Sequence, residues 1–219
     1  MIDIHSHILP GLDDGPPDLQ TALKTAKIAV KDGTTAIIAT PHCMDGKFNC
    51  QAQDILDACE HFNQRLVNRR IGLTVLPGAE IRFTPDLIDS FNRGELLTLD
   101  NSGKALLIEL PERCIIEAVA NVVENLAEKG VRAIIAHPER NSTIQSQPEV
   151  IDVLRYSGAQ FQITGDSLIG KFGRKTMKVA EKLVIMGNVH FLASDSHSPQ
   201  FRSPRRTKAL KKKKKLVGK

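Results

Sequence analysis

The sequence predicts a parallel α/β protein, either an open sheet or a barrel. Three observations carry that reading. Seven short apolar, β-branched runs alternate with longer amphipathic stretches. Glycines 33, 72, 130, 158 and 187 stand where helices should stop. Histidines and carboxylates gather at the C-terminal ends of the apolar runs, the face where such sheets and barrels bind ligands.

Taken in order, the first expected strand is Met1–His7, followed by a helix over Asp18–Lys31. Thr34–His42 holds the run AIIA and reads as the second strand, with a long helix over Ala52–Arg70 behind it. Leu73–Ile81 is the third strand, and Pro85–Asn92 a short helix. Ala105–Pro111, carrying ALLIEL, pairs with a helix over Ile116–Lys129. Arg132–Glu139 and Gln160–Gly165 are the fifth and sixth strands, each with its helix, Pro148–Tyr156 and Lys171–Met186. Val189–His197 is the seventh strand, and Ser203–Leu216 the closing helical pattern. No internal repeat or Pro/Ser-rich linker interrupts the series, so residues 1–219 read as one domain.

Composition supports a globular chain: 219 residues, 41% hydrophobic and 25% charged. No apolar run approaches the roughly 18 residues of a membrane span. The opening MIDIHSHILPGLDDG is acidic and histidine-rich, unlike a signal peptide. Cys43, Cys50, Cys59 and Cys114 lack zinc-ribbon or CxxC spacing, which suits reduced thiols in a cytoplasmic protein. Ten of the 30 cations fall in residues 202–219, without an acid among them, so the body carries 20 cations against 25 acids. That balance does not describe a nucleic-acid-binding surface. The basic end, including Lys211 to Lys215, is expected to be a solvated helix end, with a nucleic-acid contact or a weak anionic-membrane contact as the alternatives.

The chemistry concentrates at the strand ends. His5 and His7 close the first strand, His42 the second, Glu80 the third, Glu109 the fourth and His137 the fifth. Asp195 and His197 close the seventh. Alternate strand residues share a face, so His5 with His7, and Asp195 with His197, form two-ligand pincers. Imidazole and carboxylate without thiolate suit manganese, iron or zinc, and so many donors exceed the need of one ion. Two or three ions fit better, with Glu80 and Asp195 as candidate bridges. Such a cluster acidifies water and clamps a phosphoryl group. Arg140 and Arg202 follow His137 and His197 closely and could fork onto a phosphoryl oxygen. Asp3 reads as a partner behind His5, His61 as a surface residue and His190 as a satisfied buried histidine. Cys59 and Arg65 match a bare C-x5-R pattern, but inside a helical stretch without glycine, where no phosphate cradle can form.

The ordered motifs HSH, DDGP, Glu109-Leu-Pro, His137-Pro-Glu-Arg140 and Ser194-Asp-Ser-His197 resemble the polymerase and histidinol phosphatase (PHP) superfamily. They are similar in particular to its bacterial protein-tyrosine phosphatases of the CpsB/YwqE type, from Met1 to about residue 204. The resemblance implies a distorted (β/α)7 TIM-like barrel holding three metal ions, manganese first, with iron or zinc as alternatives. It implies His5, His7, Glu80 and Asp195 on one ion, Glu80, Glu109 and His137 on a second, and Asp14, His42 and His197 on a third. Asp14 enters only through the resemblance. Arg140 and Arg202 would hold the phosphate, and a metal-bridging hydroxide would attack it without a covalent phosphoenzyme. The implied substrate is phosphotyrosine on a bacterial tyrosine kinase that controls exopolysaccharide or capsule export. The family continues beyond the equivalent of Gly218 into a closing helix, which this chain is expected to lack. A histidinol-phosphate phosphatase of the same superfamily is the nearest rival, and a metal-loaded docking module without turnover is the rival of a different class.

Overall fold

Strands whose two faces are both covered need apolar residues throughout. The run Ala105–Glu109 meets that demand, with its first four residues buried. In the computed structural model, which describes residues 1–43, 46–48 and 50–218, every apolar run becomes strand. The strands are β1 (Ile2–Ser6), β2 (Ala36–Ala39), β3 (His42–Cys43), β4 (Thr74–Pro77), β5 (Glu80–Arg82), β6 (Ala105–Glu109), β7 (Arg132–Ala136), β8 (Gln160–Thr164) and β9 (Phe191–Ala193).

Two of the expected strands are therefore split, the second into β2 and β3 and the third into β4 and β5. The breaks fall side by side. Pro41 has no N–H to give to a ladder. Opposite it, Gly78 runs so close to β2 that a Cβ would lie 2.8 Å from Ile38 Cγ2. Counting each split run as one stave, the order is β1, β2/β3, β4/β5, β6, β7, β8, β9, all parallel. β9 returns to β1 through a Ser6–Ser196 bridge, with Asp195 N–H donating to His5 O at 2.9 Å and His7 N–H to Ser196 O at 2.9 Å. The result is a distorted seven-stave barrel. Ile4, Ile38, Leu76, Leu107, Ile134 and Phe191 fill its interior below the mouth.

The helices α1 (Leu19–Lys31), α2 (Ala52–Asn68), α3 (Leu87–Asn92), α4 (Ile116–Glu128), α5 (Ser142–Ser146), α6 (Val150–Tyr156), α7 (Gly165–Leu168), α8 (Arg174–Ile185) and α9 (Thr207–Leu216) cover the staves. The short α5 and α7 were not expected, being too brief to show a helical period. After α2 the left-handed position is taken by Arg70 (φ 54°) rather than Gly72. The last helix starts at Thr207, four residues later than expected. There the Asp32 carboxylate, at the end of α1, accepts the N–H groups of Arg206 (2.6 Å) and Thr207 (3.0 Å) and caps α9.

Arg206 fastens the seam between the two ends of the barrel. Its guanidinium is 2% exposed and donates to Ile2 O at 2.7 Å and Thr34 Oγ1 at 3.1 Å, and it stands 3.5 Å from the fully buried Asp3 carboxylate. Burial pushes the Asp3 carboxyl up while Arg206 opposes the shift. Arg206→Ala would leave the buried Asp3 carboxylate without its counter-charge, and the Ile2 carbonyl and Thr34 hydroxyl without this donor. A loss of about 3 kcal/mol in urea unfolding is expected; a change below about 0.5 kcal/mol would place the seam's strength elsewhere.

Candidate metal centre

The strand breaks and one bulge build the site. His42 opens β3 and Glu80 opens β5, and the two are ladder partners, so both arrive together at the mouth. In β1 the ladder to β2 shifts register between Asp3 and Ser6. A bulge of this kind re-aims side chains: Ile4 joins the barrel interior while His5, its neighbour, also turns inward to the mouth. Strict alternation, which would pair Asp3 with His5, therefore fails. Asp3 accepts from Ser194 N–H at 3.0 Å and faces Arg206. The partner behind His5 is Gln162, whose Oε1 lies 2.8 Å from His5 Nδ1.

His7 has its own orienting carboxylate. Asp13 Oδ2 is 2.6 Å from His7 Nδ1 and accepts the His42 N–H at 3.0 Å, while its Oδ1 accepts the Gly15 N–H at 2.9 Å. Gly15 lies so near His7 that a Cβ would sit 2.2 Å from the His7 carbonyl oxygen, so the loop closes only with glycine there. With both Nδ1 atoms engaged, His5 and His7 turn their Nε2 atoms to one point, 3.3 Å apart. Asp13→Asn should weaken metal binding about 10- to 100-fold with the fold intact. Titration of metal into the stripped variant measures this, and unchanged affinity would make Asp13 a loop-closing residue only.

Around that point the remaining donors converge. Glu80 Oε2 is 3.2 Å from both His5 Nε2 and His7 Nε2 and 3.3 Å from His42 Nδ1, and its Oε1 is 2.7 Å from His137 Nε2. Asp195 Oδ1 is 3.4 Å from each of the same two Nε2 atoms. Asp14, half-exposed on its loop, places Oδ1 3.2 Å from His197 Nε2 and 3.7 Å from His42 Nε2. Three groups of donors result: His5 with His7 and Asp195; His5 with Glu80 and His137; and His7 with Asp14, His42 and His197. Glu109 stands at the edge, its Oε1 3.9 Å from His137 Nε2 and its Oε2 accepting from Arg82 at 2.8 Å. Asp195 and His197 do meet, though by a turn rather than by strand alternation: β9 has ended, and Asp195 has φ 50°.

The donor set fits metal ions. Glu80 Oε2, Asp195 Oδ1 and His197 Nε2 are buried without a hydrogen-bond partner, an expensive state for polar atoms. Metal–ligand bonds of about 2.1 Å set neighbouring ligand atoms about 3.0–3.4 Å apart, the spacing seen around Glu80 Oε2. Electrostatics say the same. Burial opposes charge on His5 and His7, yet the surrounding carboxylates outweigh it and raise both, His7 strongly. Burial likewise opposes charge on Glu80 and Asp195; His5 and His137 for the former, and Arg140 and His5 for the latter, hold both carboxyls well below their usual range. Bound dications would take over the role of those protons.

Beside the donors stand two arginines. The guanidinium groups of Arg140 and Arg202 both donate to Asp195 Oδ2. Arg202 holds a left-handed backbone (φ 51°), and its carbonyl accepts the His197 N–H at 2.9 Å. A cavity of about 210 Å³ opens between Arg140, His137, Glu109 and Arg82. Elsewhere, His61 is exposed on α2. His190 is exposed rather than buried, because β9 begins only at Phe191, though its Nδ1 accepts the Phe161 N–H at 3.1 Å. Cys59 lies inside α2, where burial pushes its thiol up to about 12, too high for a nucleophile.

The sequence profile of the capsular polysaccharide synthesis family CpsB/CapC matches residues 1–219. The chain belongs to this family. Its CpsB/CapC relatives include the tyrosine-protein phosphatase YwqE of Bacillus subtilis strain 168, 38% identical over 96% of this chain and 82% of that protein. The tyrosine-protein phosphatase CpsB of Streptococcus pneumoniae is 28% identical over 93% of this chain and 86% of its own length. Among solved structures, one from a study of B. subtilis YwqE and S. pneumoniae CpsB, described as metal-dependent tyrosine phosphatases, superposes with a TM-score of 0.95. It is 36% identical and covers all of this chain and 88% of that one. The lactonase Lmo2620 of Listeria monocytogenes shares the fold alone, with a TM-score of 0.56 at 11% identity.

Arg82, Asp13 and Gln162 are the site residues that reading the sequence did not assign. Gln162 left a signal, a polar residue in the middle of the run QFQIT.

Proposed function

We propose that this CpsB/CapC chain is a metal-dependent protein-tyrosine phosphatase that hydrolyses phosphotyrosine on a protein of capsule or exopolysaccharide synthesis. The observation that carries the reading is the joining of two features in one mouth: buried, unpartnered nitrogen and carboxylate donors, and two arginines aimed at one oxygen beside them.

His5, His7, Asp14, His42, Glu80, Glu109, His137, Asp195 and His197 would hold two or three divalent ions, Glu80 serving more than one. Nitrogen and oxygen donors without sulfur favour manganese, with iron or zinc able to replace it. When bound, the ions supply an acidified water and neutralise the phosphoryl oxygens. Arg140 and Arg202 bind and orient the phosphoryl group, leaving Asp195 Oδ2 to do so. Gln162 and Asp13 fix the His5 and His7 rings with their Nε2 atoms inward. No cysteine takes part. The partner is a phosphotyrosyl protein, a bacterial tyrosine kinase by the family's setting, and the site of action is the cytoplasm; no helix among the described residues is long and apolar enough to cross a membrane.

The test strips the protein with chelator, restores manganese, and compares a phosphotyrosyl peptide with histidinol phosphate. Manganese-dependent phosphate release from the peptide is expected. Preference for histidinol phosphate would overturn the substrate and keep the centre, and turnover in chelator would overturn the centre itself.

A further inference from the structure

The outer surface formed by helices α8 and α9 is strongly cationic. Helices α8 and α9 together carry Arg174, Lys175, Lys178, Lys182, Lys208 and Lys211 to Lys215, against one acid, Glu181. Glu181 is consumed at the seam between the helices, where Lys212 Nζ reaches its Oε1 at 2.6 Å. Among the described residues, no ion pair with an acid is seen for Lys178, Lys208, Lys211, Lys214 or Lys215. On α8, Arg174, Lys178 and Lys182 recur every fourth residue, so they form one exposed stripe. That stripe runs into Ile185 and Met186, which are 64% and 50% exposed. On α9, Lys208, Lys211, Lys214 and Lys215 are exposed in turn. Like charges at this density repel in water, and an extended anionic partner relieves that repulsion.

We propose that the α8–α9 surface docks on an anionic phospholipid bilayer. Two observations favour a bilayer over a nucleic acid. All but one of the ten cations are lysines, compact ammonium charges suited to a diffuse headgroup layer, whereas forked recognition of phosphates and bases draws on arginine. Neither helix carries an aromatic residue on which a base could stack, while Ile185 and Met186 offer apolar side chains at the end of the charged stripe for shallow insertion. The docking surface lies on the barrel's outer helices and shares no residue with the donor cluster.

The test is co-sedimentation of the full chain with vesicles of equimolar phosphatidylglycerol and phosphatidylcholine, beside vesicles of phosphatidylcholine alone. Binding only to the former is expected, falling with added salt. The variant Lys178→Glu/Lys182→Glu/Lys211→Glu should lose at least about 10-fold in affinity for these vesicles. Ile185→Ser/Met186→Ser should lose several-fold while keeping the salt dependence. Both should keep wild-type turnover of a soluble phosphotyrosyl peptide, which also reports that they are folded; if the triple variant unfolds, Lys178→Glu alone is read the same way. Equal binding to neutral vesicles, undiminished binding by the charge-reversed variant, or tighter binding to duplex DNA or RNA than to the anionic vesicles would overturn the proposal.

Discussion

Glu80→Ala should lose metal and activity together, with kcat/KM lower by at least about 1000-fold, equivalent to about 4 kcal/mol of transition-state stabilisation. Glu80 faces four imidazoles of the centre with its two oxygens. Its Oε2 faces His5, His7 and His42, and its Oε1 faces His137. Removing the carboxylate leaves four imidazoles converging on a buried space without the oxygens they share. Two of them, His5 and His7, are held above their ordinary range by Glu80 among other carboxylates. Metal content by mass spectrometry and phosphate release, measured on the same preparation, check this. A variant with a full complement of metal and activity within 10-fold of wild type would show that the other donors suffice and that Glu80 is no bridge.

Arg140→Ala and Arg202→Ala should separate metal from chemistry. Each is expected to retain its metal and to lose about 100- to 1000-fold in kcat/KM, the usual cost of one preorganised donor to a charged transition state. Both guanidinium groups reach the oxygen of Asp195 that faces away from His5 and His7, so neither occupies a metal-facing atom. Removing one leaves Asp195 still paired with the other. Lysine at either position restores the charge and not the fork, and should recover only part of the loss. Loss of metal in step with activity would reassign the arginines to holding Asp195 in place.

The fold was legible because its signals are local. Apolar runs such as ALLIE and RAIIA suit strands buried on both faces, and their alternation with amphipathic stretches points to helices covering a parallel sheet. The donors were legible for a related reason. A histidine or carboxylate at the end of an apolar run has no packing role to explain it, and several such ends share one rim once the strands run parallel. The two arginines were found by nearness in sequence to that rim. Asp14 was not, since nothing in a loop announces its direction.

The residues behind the donors escaped because their partners are remote. His5 meets Gln162 across 157 positions, and Asp32 caps a helix that begins 175 positions after it. Such pairings depend on register, and a slip of one residue turns a side chain to the other face. The bulge in β1 did this to Asp3, which alternation placed behind His5 and which in fact lies in the Arg206 seam. Asp195 and His197 come together by a left-handed turn that period-two reasoning cannot see. Residue chemistry and apolar rhythm thus suffice for architecture, rim and donor types, because burial imposes them on each segment separately. Ligand grouping, ring orientation and the seam come from long-range register, strand breaks and backbone turns, which no segment carries alone.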